Sequence, residues 1–128
     1  DIDQFKLYND HYGHAGGDSC LTSVAHALGN SVRESDFVAR YGGEEFTILF
    51  PNSDVDGAEP VAERVRKNVA ALALPHEKSS HGIVTVSLGL AAVVPTSIDT
   101  LEELIELADS ELYKAKNNGR NLVSVSRP

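Results

Sequence analysis

Two strand-like runs, Phe37-Val38-Ala39-Arg40-Tyr41 and Phe46-Thr47-Ile48-Leu49-Phe50, flank the residues Gly42-Gly43-Glu44-Glu45. A glycine pair between such runs predicts a tight hairpin, because primed turns need the positive φ that glycine tolerates. Any fold open to this chain must accommodate that antiparallel pair. Glu44 and Glu45 then sit at the mouth of the hairpin. Adjacent carboxylates repel and need water, a cation or a proton between them. On these residues alone, an exposed hairpin with solvated acids and a metal site stand level.

The other elements alternate in kind. Phe5 to Tyr12 reads as a short helix and Gly13-His14-Ala15-Gly16-Gly17 as a loop. Asp18 is expected to cap a second helix carrying Leu21, Val24, Ala25 and Leu28, ended near Gly29-Asn30. After the hairpin, Pro51-Asn52-Ser53-Asp54 is a turn. A long helix follows with Ala58, Val61, Ala62, Val65, Val69 and Leu72 on one stripe. Pro60 fits only a first helical turn, which places the start of this helix close to it. Ile83 to Val94 reads as a strand with bulky residues at even positions and small ones at Thr85, Ser87, Gly89 and Ala91. One face packs a core and the other admits a close neighbour. Thr100 to Glu103 fits a capping box. Leu101, Leu104, Ile105, Ala108, Leu112 and Ala115 mark the core face of a last long helix, ended by Asn118-Gly119. Leu122 to Ser126 reads as a final strand. Interleaved elements around a tight hairpin point to an α+β fold with a central, mostly antiparallel sheet flanked by helices.

The 128 residues fit one compact domain, and 41% hydrophobic content argues for a folded one. A net charge of −8 argues against broad binding to nucleic acid or an anionic membrane. A phosphate ligand must therefore be held by a few local cations, a metal or backbone N–H groups. Cys20 is the only cysteine, which excludes an intrachain disulfide or a cysteine-based zinc cluster and suits a reducing cytosol. No segment is apolar and long enough to span a bilayer, and no signal peptide is visible. The chain opens at Asp1 without a methionine, so further sequence is expected upstream.

In Asp1-Ile2-Asp3 two acids flank an apolar residue and share a face if a strand ends there. A solvated strand end or a helix cap at Asp3 is the better reading of the pair alone; a functional one needs a partner acid, and Glu44 is the candidate. Converging strand-end carboxylates suit Mg²⁺. Lys116 and Arg120 lie around the end of the last helix, where cations also simply complement its dipole. Gly13 to Asp18 lacks the G-K-[ST] ending of a P-loop and suits a base edge better than a phosphate. His11, His14, His26, His76 and His81 show no metal-binding spacing and read as surface or loop residues.

Together these segments resemble a GGDEF-type diguanylate cyclase domain. The resemblance rests on Asp1-Ile2-Asp3-Gln4-Phe5-Lys6 with Asn9-Asp10, on Gly13-His14-Ala15-Gly16-Gly17-Asp18, and on Arg40-Tyr41-Gly42-Gly43-Glu44-Glu45-Phe46. Ser87-Leu88-Gly89-Leu90-Ala91 and the run from Ala108-Asp109 through Lys116 to Gly119-Arg120-Asn121 complete it. The matches fall in the family's order and span essentially the whole chain. They imply a palm-like cyclase fold for residues 1–128, here without the N-terminal helix and most of the first strand. They also imply condensation of two GTP molecules into cyclic di-GMP with release of two pyrophosphates.

By this resemblance Asp1 and Glu44 are carboxylate metal ligands, with the Ile2 carbonyl, for two Mg²⁺ (or Mn²⁺) ions per site. Glu45 is a further ligand or helps deprotonate the ribose 3′-hydroxyl. Asn9 and Asp18 hold guanine. Lys6, Lys116, Arg120 and the backbone near Phe5 hold the outer phosphates, and Gly42 and Gly43 let the turn approach the substrate. Arg33-Glu34-Ser35-Asp36 matches the family's R-x-x-D inhibitory site, where Arg33 and Asp36, with Arg64 as a secondary contact, bind cyclic di-GMP. Catalysis implies a homodimer. The resemblance further implies an upstream sensor or receiver domain and no nucleic-acid partner. The catalytic domain is expected in the cytoplasm, and a membrane anchor elsewhere in the full-length protein is left open. The alternative is a non-catalytic GTP or cyclic di-GMP binding module.

Overall fold

A computed structural model describes residues 1–96 and 100–127 of the chain. The elements run α1 (Phe5–Ser31), β1 (Phe37–Arg40), β2 (Phe46–Leu49), α2 (Val55–Ala71), β3 (Leu88–Leu90), α3 (Leu101–Asn117) and β4 (Val123–Val125). This is the expected α+β class. β1 and β2 pair antiparallel, with Phe37 opposite Leu49 and Arg40 opposite Phe46. Ile2 bridges antiparallel to Val86. β3 and β4 run parallel, Leu88 beside Val123, because α3 crosses over between them.

The alternation along residues 84–90 organises the layers. Val84 and Val86 join a core with Ile2, Phe5, the α1 residues Leu21, Val24 and Leu28, and Val65 and Val69 of α2. Val38, Phe46 and Ile48 pack the hairpin onto the same cluster. The small residues serve the other face. A Cβ on Gly89 would lie 2.1 Å from the Ala108 carbonyl oxygen and 2.3 Å from the Leu112 nitrogen, so α3 rests directly on the β3 backbone. The neighbour expected from the small odd positions is therefore α3.

α3 starts as a capped helix, Thr100 accepting from the Glu103 N–H at 3.1 Å. Leu101, expected in the core, is 65% exposed. Seventeen helical residues extend roughly 25 Å, against roughly 10 Å for the three residues of β3, so the first turn of α3 overhangs the strands. Glu111 is buried on this helix and accepts from Ser124 Oγ at 2.6 Å and Lys114 Nζ at 2.9 Å. The Ser124 hydroxyl, then the Lys114 ammonium, holds its carboxyl below the ordinary glutamate range. The Ser124 bond ties α3 to β4.

Other expectations give way. The loop at Gly13–Gly17 shrinks to one non-helical residue, Gly13 (φ 80°, ψ 171°), and α1 continues on both sides of that kink. Asp18 is therefore no cap; its carbonyl accepts from Thr22 Oγ1 inside the helix. α2 begins at Val55, capped by Asp54, which accepts from the Gly57 N–H at 2.8 Å. Pro60 thus lies in the second turn, because a good cap upstream fixes the start despite the lost N–H. His76 is fully buried rather than superficial; its Nε2 lies 3.0 Å from the Gln4 carbonyl, and its ring packs edge-on to Tyr8.

Candidate active site

Residues 1–3 form a short extended segment with hydrogen-bonded neighbours on both sides. The Asp3 N–H donates to the Thr85 carbonyl at 2.9 Å and the Ser87 N–H to the Asp1 carbonyl at 3.1 Å. On the opposite edge the Ile2 N–H donates to the Glu44 carbonyl at 3.2 Å. Two segments far apart in sequence, each carrying predicted metal ligands, are thus joined backbone to backbone. Burial of Ile2 in the core fixes the segment in place. The Asp1 carboxylate is nearly covered and pairs with Lys116 Nζ at 3.3 Å. Both side chains of the glutamate pair are half-buried. Among the described residues no group of three His, Cys, Asp or Glu side chains is arranged to cage a cation. Mg²⁺ needs no such cage, since one or two carboxylates plus substrate phosphate oxygens satisfy it. The all-oxygen donor set of Asp1, Glu44, Glu45 and the Ile2 carbonyl fits that chemistry.

The hairpin mouth differs from the expected primed turn. Residues 41–45 separate the strands, and neither Gly42 nor Gly43 has a positive φ. Arg40 closes the loop instead: its Nε donates to the Gly42 and Gly43 carbonyls at 3.1 Å, and its Nη2 to the Gly43 carbonyl at 2.7 Å. The Glu45 carbonyl accepts from the Tyr41 N–H at 2.8 Å. With the carbonyls gathered by a guanidinium, the chain turns without left-handed residues. A Cβ on Gly43 would meet nothing within 4 Å, so the surface above it is open to approach.

An open cleft of about 520 Å³ lies between α1 and the hairpin, lined by Asp18, Leu21, Thr22, Val38, Arg40 and Phe46. Its volume is in the range of small-molecule sites. The kink at Gly13 folds the first part of α1 back so that Asn9 lies against Gly17. A Cβ on Gly17 would sit 1.7 Å from Asn9 Oδ1. Of the two predicted guanine ligands, Asp18 lines this cleft, and Asn9 packs against the neighbouring residue Gly17.

The predicted phosphate ligands fall in two places. Phe5 and Lys6 open α1, whose N-cap Gln4 makes no side-chain cap. The Gln4 amide oxygen instead accepts from the Ser80 N–H at 3.3 Å, so it does not satisfy the first-turn N–H groups. Lys116 lies in the last turn of α3. Arg120 lies beyond it, in a turn where Gly119, Arg120 and Asn121 all have positive φ.

The R-x-x-D segment is bonded to itself. Arg33 Nε and Nη2 both donate to the Asp36 carboxylate at 3.0 Å, and Nη2 also donates to Ser53 Oγ at 2.8 Å. The Arg33 bonds hold the Asp36 carboxyl below its ordinary range. The Arg33 guanidinium lies 5.7 Å from the Phe50 ring centroid. Arg64 stands nearby on α2, its Nε donating to the Ser31 carbonyl at the end of α1 at 2.6 Å.

Sequence reasoning singled out neither Asp3 as a buried group nor Gly17 as a contact. Asp3 is 1% exposed and is neither a solvated strand end nor a helix cap. The hydroxyls that donate to it, on Thr85 and Ser87, were legible as the small face of the strand at 83–94; the polarity of those two small residues was the signal for a buried carboxylate opposite them.

The chain matches the family model described as diguanylate cyclase, GGDEF domain, over residues 1–122. It is 40% identical over 127 residues to diguanylate cyclase A of Treponema denticola, covering 99% of this chain and 34% of that protein. The chain spans about a third of the length of such curated relatives. Among solved structures, the diguanylate cyclase SiaD of Pseudomonas aeruginosa, in complex with its activator SiaC, superposes with a TM-score of 0.87 at 36% identity, over 98% of this chain and 47% of that one. The GGDEF domain of DgcB from Caulobacter crescentus, in complex with c-di-GMP, gives 0.85 at 35% identity, over 98% and 73%. Such matches along nearly all of a chain whose strand end, glutamate hairpin and kinked helix meet as described leave one conclusion: it belongs to the GGDEF domain family.

Proposed function

We propose that residues 1–128 form one catalytic domain that condenses two GTP molecules into cyclic di-GMP and releases two pyrophosphates. The observation that carries this reading is the 3.2 Å bond from the Ile2 N–H to the Glu44 carbonyl, which sets the Asp1 strand end beside the glutamate pair. Asp1, Glu44 and the Ile2 carbonyl would hold Mg²⁺ or Mn²⁺, two ions per site. Such ions, when bound, neutralise charge on the α-phosphate and lower the pKa of the attacking 3′-hydroxyl. Glu45 accepts the hydroxyl proton or adds an oxygen ligand. The N-terminus of α1 presents the N–H groups of Phe5 and Lys6 to the outer phosphates, with the helix dipole in favour. Lys116 and Arg120 add the local cations that a chain of net charge −8 otherwise lacks at long range. Gly42 and Gly43 keep the hairpin mouth open to the substrate. Each domain holds one GTP, so the bond forms between two copies in a homodimer.

Incubation of the full chain with GTP and Mg²⁺ is expected to yield a cyclic dinucleotide, with specific activity rising with protein concentration. GTP binding without any cyclic dinucleotide would falsify the cyclase reading and leave a non-catalytic binding module.

Asn9 and Asp18 read the guanine edge, whose adjacent N–H donors suit a carboxylate. Gly17→Ala tests this without substituting either ligand. The new methyl must displace the Asn9 amide, so GTP affinity is expected to fall about tenfold, the low end of a bidentate base contact. The helix itself is expected to hold, since alanine gains about 0.5–1 kcal/mol over glycine in a helix interior. An unchanged dissociation constant would remove Asn9 from the guanine site.

Arg33 and Asp36, with Arg64 beside them, form the product-inhibition site of the same reading. The supporting observation is a guanidinium already oriented by a covered carboxylate, the geometry in which arginine stacks on bases and forks onto phosphate. Arg33→Ala is expected to relieve inhibition by added cyclic di-GMP while leaving initial turnover in place. Inhibition that persists at wild-type strength would remove this assignment.

A further inference from the structure

The Asp3 carboxylate is buried and accepts three hydrogen bonds, and the function proposed above gives it no task. Its Oδ1 accepts from Ser87 Oγ at 2.6 Å. Its Oδ2 accepts from Thr85 Oγ1 at 2.7 Å and from the backbone N–H of Asn121 at 3.0 Å. The last of these bonds spans nearly the whole sequence. It reaches the turn Gly119-Arg120-Asn121, where φ is 118°, 63° and 50°. Left-handed backbone is costly for residues with a Cβ, and two in succession persist only where the surroundings hold them. The holding bonds are few and specific. The Arg120 N–H donates to the Ala115 carbonyl at 3.0 Å, Arg66 Nη1 to Asn121 Oδ1 at 3.3 Å, and the Asn121 N–H to Asp3, while His81 Nε2 lies 3.0 Å from the Gly119 carbonyl. Of these partners only Asp3 belongs to the strand end that carries Asp1.

We propose that Asp3 is a positioning residue: its buried carboxylate locks the left-handed turn at Arg120 to the Asp1 strand end, so that the guanidinium meets the outer phosphates at a fixed distance from the metal ligands. This rests on the GTP reading above. It explains why a charged group is buried here. Two hydroxyls and an amide N–H all require acceptors, and a carboxylate supplies them on both oxygens. Asparagine preserves the shape but turns one acceptor into a donor.

The test is the affinity of the full chain for two probes with Mg²⁺ present: GMP, and a GTP analogue bearing a methylene bridge between the α- and β-phosphates. Asp3→Asn is expected to weaken the analogue about tenfold, the loss of one charge-assisted phosphate contact, while GMP binding holds. Adding Asn121→Gly, which takes a left-handed φ at little cost, is expected to recover part of that loss. Thr85→Val keeps the carboxylate but removes one of its anchors, and is expected to shift the same ratio less; it decides the matter if Asp3→Asn does not fold. A parallel fall for both probes, or an unchanged ratio, would show that Asp3 serves the fold alone and overturn the inference. An unaltered chain that binds neither probe overturns the GTP reading and this inference together.

Discussion

Gly89→Ala is expected to destabilise the domain by about 3 kcal/mol, the upper end of overpacking costs, seen as a fall of roughly 10 °C in Tm. The methyl would meet the backbone of α3 at Ala108 and Leu112, at separations no rotamer change relieves. α3 must move outward, and with it the turn that carries Arg120. Gly43→Ala is the control. The same methyl there meets nothing, and Tm should change by no more than surface substitutions usually allow, within about 0.5 kcal/mol. Equal melting temperatures for the two variants would mean that α3 does not rest on β3 as described.

Glu44→Ala is expected to lower kcat by on the order of a thousandfold at unchanged fold. Metal ions contribute several kcal/mol of charge stabilisation in phosphoryl transfer, and each factor of ten in rate is about 1.4 kcal/mol. The fold should survive because Ile2 bonds to the Glu44 carbonyl, which alanine retains. Circular dichroism and turnover measured on the same preparation separate the two effects. Activity within tenfold of the unaltered chain would exclude Glu44 as a metal ligand. A collapse of Tm would instead make its side chain structural.

The elements themselves were legible because each rests on local pattern: the stripe in α2, the Thr100 cap of α3, the alternation at Val84 to Leu90. What the sequence concealed was long-range compensation. The glycine pair suggested a primed turn, but whether residues 41–45 need left-handed backbone depends on Arg40 reaching two carbonyls. Gly16 and Gly17 suggested a loop, yet they are helical, and Gly17 is small because Asn9 occupies the place of its side chain. Pro60 suggested a helix start, but the Asp54 cap outweighs one missing N–H. At the candidate site the residue types were readable and the distances were not. That Lys116 pairs with Asp1, and that Asp3 reaches Asn121, follows only once α3 lies on β3.

The single-residue kink at Gly13 has a consequence for how this region can vary. A true loop between two helices absorbs insertions and deletions, since slack in the chain leaves the flanking faces where they were. Here the joint is one residue wide, and helical phase runs unbroken up to it from each side. Adding or removing one residue next to Gly13 would turn the Asn9 face by about 100° relative to Asp18. The segment between those two residues should therefore keep its length wherever base recognition is kept, even as its exposed side chains change freely.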